Sequence, residues 1–299
     1  MLTQKGKIFI TTFMLVLLTG AAFVAYILFA AEEYVPPPPQ PPNPVPISLT
    51  EVTRQPTPAL DMVEIPLSDI FDTGYLALVN RSHAIPAEPD FSRLLLAWPT
   101  IPVNTIEGTY LHSTALAAIA DMLNSARQAG HSGMFLSSGF RGYALQAQLY
   151  AGGANADFAL PAGHSEHHTG LAADILITGV PMNDIHNSSA GGWLADNSWR
   201  YGLILRYPQD SEHITGIQFE PWHFRYVGAP HAYYMFVNGL VLEEYIELLH
   251  TYGTLTISIN SNIYYVFHQV PQSGMIKVPA NMDFAVSSDN MGGFIITAR

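Results

Sequence analysis

Two short segments of the chain carry side chains that could hold a metal ion. Ser165–Asp174 (SEHHTGLAAD) places a histidine and an aspartate seven positions apart, and Glu220–His223 (EPWH) places a glutamate three positions before another histidine. Two imidazoles and one carboxylate suit Zn²⁺, and three protein ligands leave a fourth position open for water, as in catalytic sites. We therefore predict a catalytic metal site with Glu220 as the spare carboxylate that takes a proton from that water.

Each of these residues also has an ordinary structural interpretation. His167 and His168 are adjacent, so only one of them can easily point into a given site. Asp174 could cap a turn, and Glu220, which precedes a proline, could simply be exposed. The joint pattern, rather than any single residue, favours a metal site.

Motifs of other hydrolase classes are absent from the sequence. It contains no HExxH helix of the common zinc proteases and no SxxK or KTG of the penicillin-binding serine peptidases. It has no GxSxG, and without cysteine it cannot use a thiol nucleophile. A hydrolytic activity would therefore most naturally use a metal.

Hydrophobic periodicity predicts the elements that position these residues. Helices are predicted at Thr114–Ala129, Tyr143–Tyr150, Trp193–Trp199 and Val241–Tyr252, and strands at Met134–Ser138, Ala173–Thr178, Leu203–Tyr207, Glu220–Val227, Thr254–Ile259, Tyr264–Val270, Met275–Val278 and Phe294–Thr297. Trp222, Phe224 and Tyr226 would share one face of their strand, opposite His223. Helices and strands without regular β-α-β alternation favour an α+β fold with a C-terminal β extension.

The N-terminal part of the chain predicts a membrane anchor followed by a stalk. Ile8–Ala30 has no charged residue and would span about 35 Å as a helix, which is enough to cross a bilayer. Lysines precede it and glutamates follow it, which orients the rest of the chain outward. A cleaved signal peptide is the alternative. Val35–Pro46 holds eight prolines in twelve residues, typical of a stiff spacer, and Ile47–Ile70 reads as a lead-in without assigned structure.

The composition of the chain argues against a nucleic-acid partner and bears on the cellular compartment in which the protein works. The formal net charge is −12 and the chain has only three lysines, so a nucleic-acid partner is not expected. The lack of cysteine rules out disulfides, which suits a bacterial cell surface better than a eukaryotic secreted protein.

Three blocks of the sequence resemble a known family. Ser137–Gln146 (SSGFRGYALQ), Ser165–Asp174 and Glu220–Gly228 (EPWHFRYVG) are similar, in order and spacing, to the signature blocks of VanY-type zinc D-alanyl-D-alanine carboxypeptidases. The resemblance covers roughly residues 76–249. It implies a central, mostly antiparallel sheet flanked by helices, as in hedgehog-like and D-Ala-D-Ala metallopeptidase folds.

The resemblance also implies roles for individual residues. His167, Asp174 and His223 would bind Zn²⁺ and Glu220 would be the base, whereas His168 falls where the family often has glutamine. The residues that would hold the terminal carboxylate of the substrate are Arg141, Gln146 and Ser165. An arginine fork binds a carboxylate through two hydrogen bonds. Arg206 and His213, close to the third block, could tune the site, but ordinary surface roles are the expectation for both.

The sequence thus predicts a membrane-anchored zinc carboxypeptidase that trims the terminal D-Ala from peptidoglycan stem pentapeptides outside a bacterial cell. An L,D-carboxypeptidase acting on tetrapeptide stems is the close alternative, and a non-catalytic, zinc-stabilised wall-binding module is the other. The predicted organisation is 1–31 cytoplasmic stub and single-pass anchor, 32–73 Pro-rich stalk and lead-in, 74–252 zinc carboxypeptidase domain, and 253–299 C-terminal β extension.

Overall fold

Two four-stranded antiparallel sheets organise the part of the chain that the computed structural model describes, residues 58–85, 87, 91–97, 104–151, 160–259 and 261–299. The strands are β1 Met62–Pro66, β2 Leu94–Leu96, β3 Tyr110–His112, β4 Met134–Ser138, β5 Ala172–Ile177, β6 Leu203–Leu205, β7 His223–Tyr226, β8 Thr254–Ile259, β9 Asn262–Gln269, β10 Met275–Pro279, β11 Phe284–Ser288 and β12 Phe294–Ala298. The α-helices are α1 Ser113–Gln128, α2 Tyr143–Ala151, α3 Ser189–Asn197, α4 Glu212–Thr215, α5 Ala229–Asn238 and α6 Leu242–Tyr252.

The central sheet has the strand order β4-β5-β7-β6, and every neighbouring pair is antiparallel. In the pairing of β5 with β7, Asp174 lies directly opposite His223. A register shift between Leu136 and Ser138 bends β4 where it meets β5. Bulges of this kind often re-aim side chains beside a functional site.

The main hydrophobic core lies on one face of the central sheet. Trp222, just before β7, and Phe224 of β7 are buried there, with Tyr226 packed against the same cluster, as the alternating pattern predicts. Helix α1 contributes apolar side chains such as Leu116 and Ile119 to the same cluster. Since each such side chain contributes about 1.5–3 kcal/mol when buried, this face fixes which way β7 points. The opposite side of β7 is left for His223.

The C-terminal sheet has the order β11-β12-β9-β8 and packs on the last two helices. His231 of α5 reaches it through a 2.9 Å contact between Nε2 and the Thr297 hydroxyl of β12. β1 pairs antiparallel with β10, which corrects our interpretation of Ile47–Ile70 as lacking structure, because Met62–Pro66 forms this strand. The residues of β1 pair with partners 209 to 217 positions away in the sequence, which a local pattern does not reveal.

Most predicted elements are confirmed to within a few residues, including Met134–Ser138 and Thr254–Ile259 at both ends. The prediction missed the strands β1, β2, β3 and β11 and the helices α4 and α5. The α+β class is confirmed, while the hedgehog-like description and the domain boundaries stay predictions. The predicted anchor and stalk lie outside the described residues. Within the described ranges, no helix is both long and apolar enough to cross a membrane.

Candidate metal centre and active site

His167 lies on a short 3-10 turn, Glu166–Thr169, that precedes β5. The turn ends at Gly170, whose φ of 68° is the left-handed conformation that glycine adopts at little cost. The Nδ1 atom of His167 donates to the carbonyl oxygen of Gly139, 2.6 Å away. A side chain at position 139 would clash with the Tyr110 carbonyl, so glycine lets this loop come close. The bond fixes the imidazole and leaves Nε2 as the nitrogen available to a ligand.

The other two candidate ligands meet through the register of the central sheet. Because Asp174 and His223 are direct cross-strand neighbours, their side chains lie together. Asp174 Oδ1 is 3.4 Å from His223 Nδ1, and Asp174 Oδ2 is 3.5 Å from His167 Nε2. One ligand atom from each of the three residues lies within 4.8 Å of the others, and all three residues are buried.

These three side chains fit a Zn²⁺ ion. His167 Nε2 and Asp174 Oδ1 are buried and have no hydrogen-bond partner among the described residues. Zn–N distances near 2.0–2.1 Å and a tetrahedral angle place two coordinated imidazole ring centres about 5 Å apart. The ring centres of His167 and His223 are 5.0 Å apart. A bound cation would satisfy these buried nitrogen and oxygen atoms, which otherwise lack partners, and it would fit the ring spacing.

The charges around the cluster also favour a cation. Burial lowers the pKa of His167 to about 4, with the nearby Arg141 adding to the effect, so this imidazole is neutral and able to coordinate. Burial would also lower the pKa of His223, but Asp174, Glu166 and Glu220 raise it well above its usual value. Three carboxylates therefore create a negative field at His223.

Glu220 is buried beside the cluster, and its Oε2 lies 3.3 Å from His223 Nδ1. Its backbone N–H donates to the carbonyl of Tyr207 at 3.0 Å, which fixes the turn before β7. Burial raises the pKa of Glu220, and the neighbouring Asp174 carboxylate raises it further. A carboxylate with a raised pKa is a better proton acceptor than an exposed one.

Arg141, Gln146 and Ser165 all line the same cavity as the metal cluster, which has a volume of about 190 Å³. Arg141 Nη1 donates to Gln146 Oε1 at 3.1 Å, and Gln146 Nε2 donates to the Leu160 carbonyl at 2.6 Å. The amide of Gln146 thus orients the guanidinium. Arg141 Nε is buried without a hydrogen-bond partner in the described ranges, so this donor can serve a bound anion.

His168, the neighbour of His167, lies outside the three-residue cluster. Its Nδ1 donates to the Arg141 carbonyl at 2.6 Å and its Nε2 accepts from the Gly163 N–H at 3.0 Å. Both ring nitrogens are therefore engaged in joining loops. The structure brings together the predicted metal ligands, the predicted base and the predicted substrate-binding residues around one cavity. It gives His168 a structural position instead.

Sequence reasoning missed a buried charged network behind His223. Burial alone would raise the pKa of Glu166, but Arg206 and Arg225 hold this pKa well below its usual range. Arg206 is fully buried, so the prediction of a surface role for it was wrong, whereas His213 is exposed as expected. Arg225 could have been found, because it shares with His223 the face of β7 opposite the aromatic side chains.

An α+β fold that carries a buried cluster of two histidines and one aspartate beside an arginine is consistent with the class of metal-dependent peptidases. Residues 108–229 match the VanY family, D-alanyl-D-alanine carboxypeptidase. The chain is 39% identical to a D-alanyl-D-alanine carboxypeptidase of Enterococcus faecium over 189 residues, which cover 63% of this chain and 61% of that protein. It belongs to the VanY-type D-alanyl-D-alanine carboxypeptidase family, although it spans less than two thirds of this relative's length.

Two solved structures are similar to this chain. The LD-carboxypeptidase LdcB is 34% identical with a TM-score of 0.52, and the match covers 58% of this chain and 86% of that one. The vancomycin resistance D,D-dipeptidase VanXYg, in complex with a D-Ala-D-Ala phosphinate analog, has a TM-score of 0.69 at 24% identity. That match covers 81% of this chain and 99% of the other, and it supports the fold alone.

Proposed function

We propose that this protein is a zinc-dependent carboxypeptidase that removes the terminal D-Ala from peptidoglycan stem pentapeptides. The observation that carries the proposal is the convergence of His167, Asp174 and His223 in one buried cluster. Arg141 lines the same cavity, where it can bind a free C-terminal carboxylate. The family relationship and the D,D-carboxypeptidase name of the enterococcal relative support the substrate class.

The residues around the cavity have distinct tasks in this reaction. Zn²⁺, when held by the three ligands, supplies Lewis acidity to the scissile carbonyl and to a water molecule. Arg141 binds and orients the terminal carboxylate, which places the last peptide bond at the cluster. Glu220, buried beside His223, takes a proton from the attacking water and passes it to the leaving amine.

The proposal is tested by incubating the full-length chain with a stem pentapeptide and measuring free D-Ala. We expect release that a zinc chelator stops and that added Zn²⁺ restores. The Glu220→Gln variant keeps the shape of the side chain but removes the base, so turnover should fall at least about 100-fold while Zn²⁺ stays bound. Full activity in the presence of chelator would sink the zinc mechanism, and full activity in the variant would remove Glu220 from it.

An L,D-carboxypeptidase that acts on tetrapeptide stems is the second candidate. The similarity to LdcB at 34% identity favours it. Both reactions need the same metal cluster and the same arginine, so only the substrate separates them. Comparing release from pentapeptide and tetrapeptide stems at equal concentration decides the question, and preferential cleavage of the tetrapeptide would replace the D,D assignment.

We also propose that the protein acts at the outer face of a bacterial cell membrane, held by a single N-terminal span. The uncharged segment Ile8–Ala30 and the proline-rich spacer that follows support this location. Such an arrangement would place the catalytic residues near stem peptides in the wall. External protease should digest the protein in cells stripped of their wall; protection until the membrane is broken would contradict the orientation.

A further inference from the structure

Glu166 lies directly behind the candidate ligand His223 and is fully buried. Its Oε1 atom accepts two charge-assisted hydrogen bonds, from Arg206 Nε at 2.8 Å and from Arg225 Nη1 at 2.9 Å. Its Oε2 atom has no hydrogen-bond partner among the described residues. That second oxygen lies 3.7 Å from His223 Nε2, which also lacks a hydrogen-bond partner there.

The two nitrogens of His223 face different groups. Nδ1 is directed toward the metal cluster, 3.4 Å from Asp174 Oδ1, whereas Nε2 is directed toward Glu166. A neutral imidazole coordinates a metal through one nitrogen and carries its proton on the other. If Nδ1 is the ligand atom, the proton must be on Nε2, where Glu166 Oε2 is the nearby acceptor. Carboxylates commonly orient metal-binding histidines in this way.

The carboxylate of Glu166 is itself held in place from two sides. Arg206 uses its other two nitrogens for a fork on Glu243, at 2.9 and 2.6 Å. Arg225 Nη2 donates to the carbonyl oxygens of Tyr75 and Ala77, at 3.1 and 3.0 Å. Both arginine side chains are fully buried, and these hydrogen bonds restrain them. Oε1 is therefore fixed between the arginines, and Oε2 is fixed toward His223.

We propose that Glu166 is a positioning residue for the candidate metal ligand His223. Its Oε2 atom accepts a hydrogen bond from the Nε2–H group of His223, which keeps Nδ1 directed toward the metal. This inference rests on the zinc site of the proposed function. The simpler explanation is that Glu166 only neutralises Arg206 and Arg225. The two explanations differ in one respect. Only a positioning role makes the Zn²⁺ affinity, and the choice of which His223 nitrogen carries the proton, depend on Glu166.

The protonation of His223 is measured by nitrogen NMR of the zinc-loaded full-length chain with labelled histidine. We expect the proton on Nε2 and the metal on Nδ1 of His223. A proton on Nδ1 with the metal on Nε2 would overturn the inference. Because this measurement uses the unaltered chain, it does not depend on whether any variant folds.

The second measurement is Zn²⁺ affinity by competition with a chelator. Glu166→Gln should weaken Zn²⁺ binding by about 10- to 100-fold, as loss of such partners typically does. Glu243→Gln is the matched control, because it removes a carboxylate from Arg206 without touching His223, and it should leave the affinity nearly unchanged. Equal weakening in both variants would show that Glu166 acts only through the arginines.

Two further outcomes separate this inference from the proposed function. If Glu166→Gln does not fold, Glu166→Asp keeps the charge for the arginines but withdraws the carboxylate, and it should still weaken Zn²⁺ binding; unchanged affinity would overturn the role. A chain that binds Zn²⁺ with the expected His223 protonation but releases no D-alanine would overturn the proposed function and leave this inference standing. A chain that binds no Zn²⁺ would overturn both.

Discussion

Two clusters of the described chain have the same composition, two histidines and one aspartate. One is His167, Asp174 and His223 at the central sheet, and the other, here called the C-terminal cluster, is His250, His268 and Asp289. In the first cluster, buried donor atoms lack hydrogen-bond partners within the described ranges. In the C-terminal cluster, His250 Nε2 and His268 Nε2 both bond to Asp289 Oδ2, at 2.9 and 3.1 Å.

The second carboxylate oxygen and the ring spacing complete the contrast. Asp289 Oδ1 accepts the backbone N–H groups of Met291 and Gly293 at 2.6 and 2.9 Å, so both of its oxygens are already engaged. The rings of His250 and His268 are tilted by 32° to one another, with centres 4.1 Å apart. Tetrahedral coordination of Zn²⁺ by both imidazoles would separate those centres by about 5 Å. Two histidines and one aspartate therefore do not by themselves indicate a zinc site. Ligand atoms that lack hydrogen-bond partners, and rings at the spacing that coordinated imidazoles require, are what distinguish the first cluster.

The largest expected effect distinguishes the clusters by metal content. Wild-type chain should bind one Zn²⁺, and His167→Ala should lower the affinity on the order of 1,000-fold, because one of three ligands is lost. His268→Ala is the matched control in the C-terminal cluster and should still bind one Zn²⁺. Metal analysis after dialysis checks both variants. A wild-type content of two Zn²⁺ that His268→Ala reduces to one would break the comparison.

The next effect concerns stability rather than metal. Asp289→Ala leaves two backbone N–H groups and two imidazoles without their acceptor, so we expect the free energy of unfolding to fall by about 3 kcal/mol. Urea denaturation of the zinc-saturated protein measures this loss. Asp283→Ala, at an exposed position before β11, is the control and should change stability by less than about 0.5 kcal/mol. Loss of zinc rather than stability in Asp289→Ala would contradict the structural role.

The smallest effect is a pH dependence of the C-terminal sheet packing. Burial lowers the pKa of His231 to about 3, and its ring is bonded to Tyr245 and Thr297 at 2.7 and 2.9 Å. Between pH 6.5 and 3, this histidine is protonated in the unfolded state but stays neutral in the folded state. The free energy of unfolding should therefore fall as the pH drops below 6.5 toward 3, by up to about 1.4 kcal/mol per pH unit. Above pH 6.5 this histidine adds no pH dependence.

The control for this titration is His231→Asn, which removes the titrating group while retaining a short polar side chain. Urea denaturation at several pH values between 7.5 and 5 should give a shallower pH dependence for the variant than for the wild type. Since the residues of the candidate metal cluster can also titrate, the difference between the two curves isolates the contribution of His231. Identical slopes would assign the acid sensitivity to the metal cluster instead.

The sequence predicted the parts of the site that depend on local patterns. The two motif segments, and the alternation that places His223 opposite Trp222 and Phe224, predicted a shared metal site, and His167, Asp174 and His223 do lie in one cluster. The choice of His167 over His168 came from the resemblance to the family. Gly139 also lies in a predicted block, but its hydrogen bond with His167 needed the folded loop. Local pattern therefore predicts which residues meet and not how each ring is held.

The buried network could not be read in the same way, because its members are distant in the sequence. Arg206 pairs with Glu166, 40 positions before it, and with Glu243, 37 positions after it. An arginine between apolar residues has no local signal that distinguishes a buried ion pair from a surface charge. The prediction of a surface role for Arg206 failed for this reason. β1 was missed likewise, since its strand partner among the described residues is the distant β10.

The direct pairing of Asp174 with His223 also means that a shifted strand register would disrupt both the core and the site. A slip of β7 by one residue would turn every side chain to the other face of the sheet. Trp222 and Phe224 would leave the core and meet the buried carboxylates, while His223 would enter the apolar layer. The same register is therefore favoured twice, by the burial of the apolar side chains on one face of β7 and by the pairing of charged groups on the other. A chain that has packed its core correctly has, in the same event, assembled its active site.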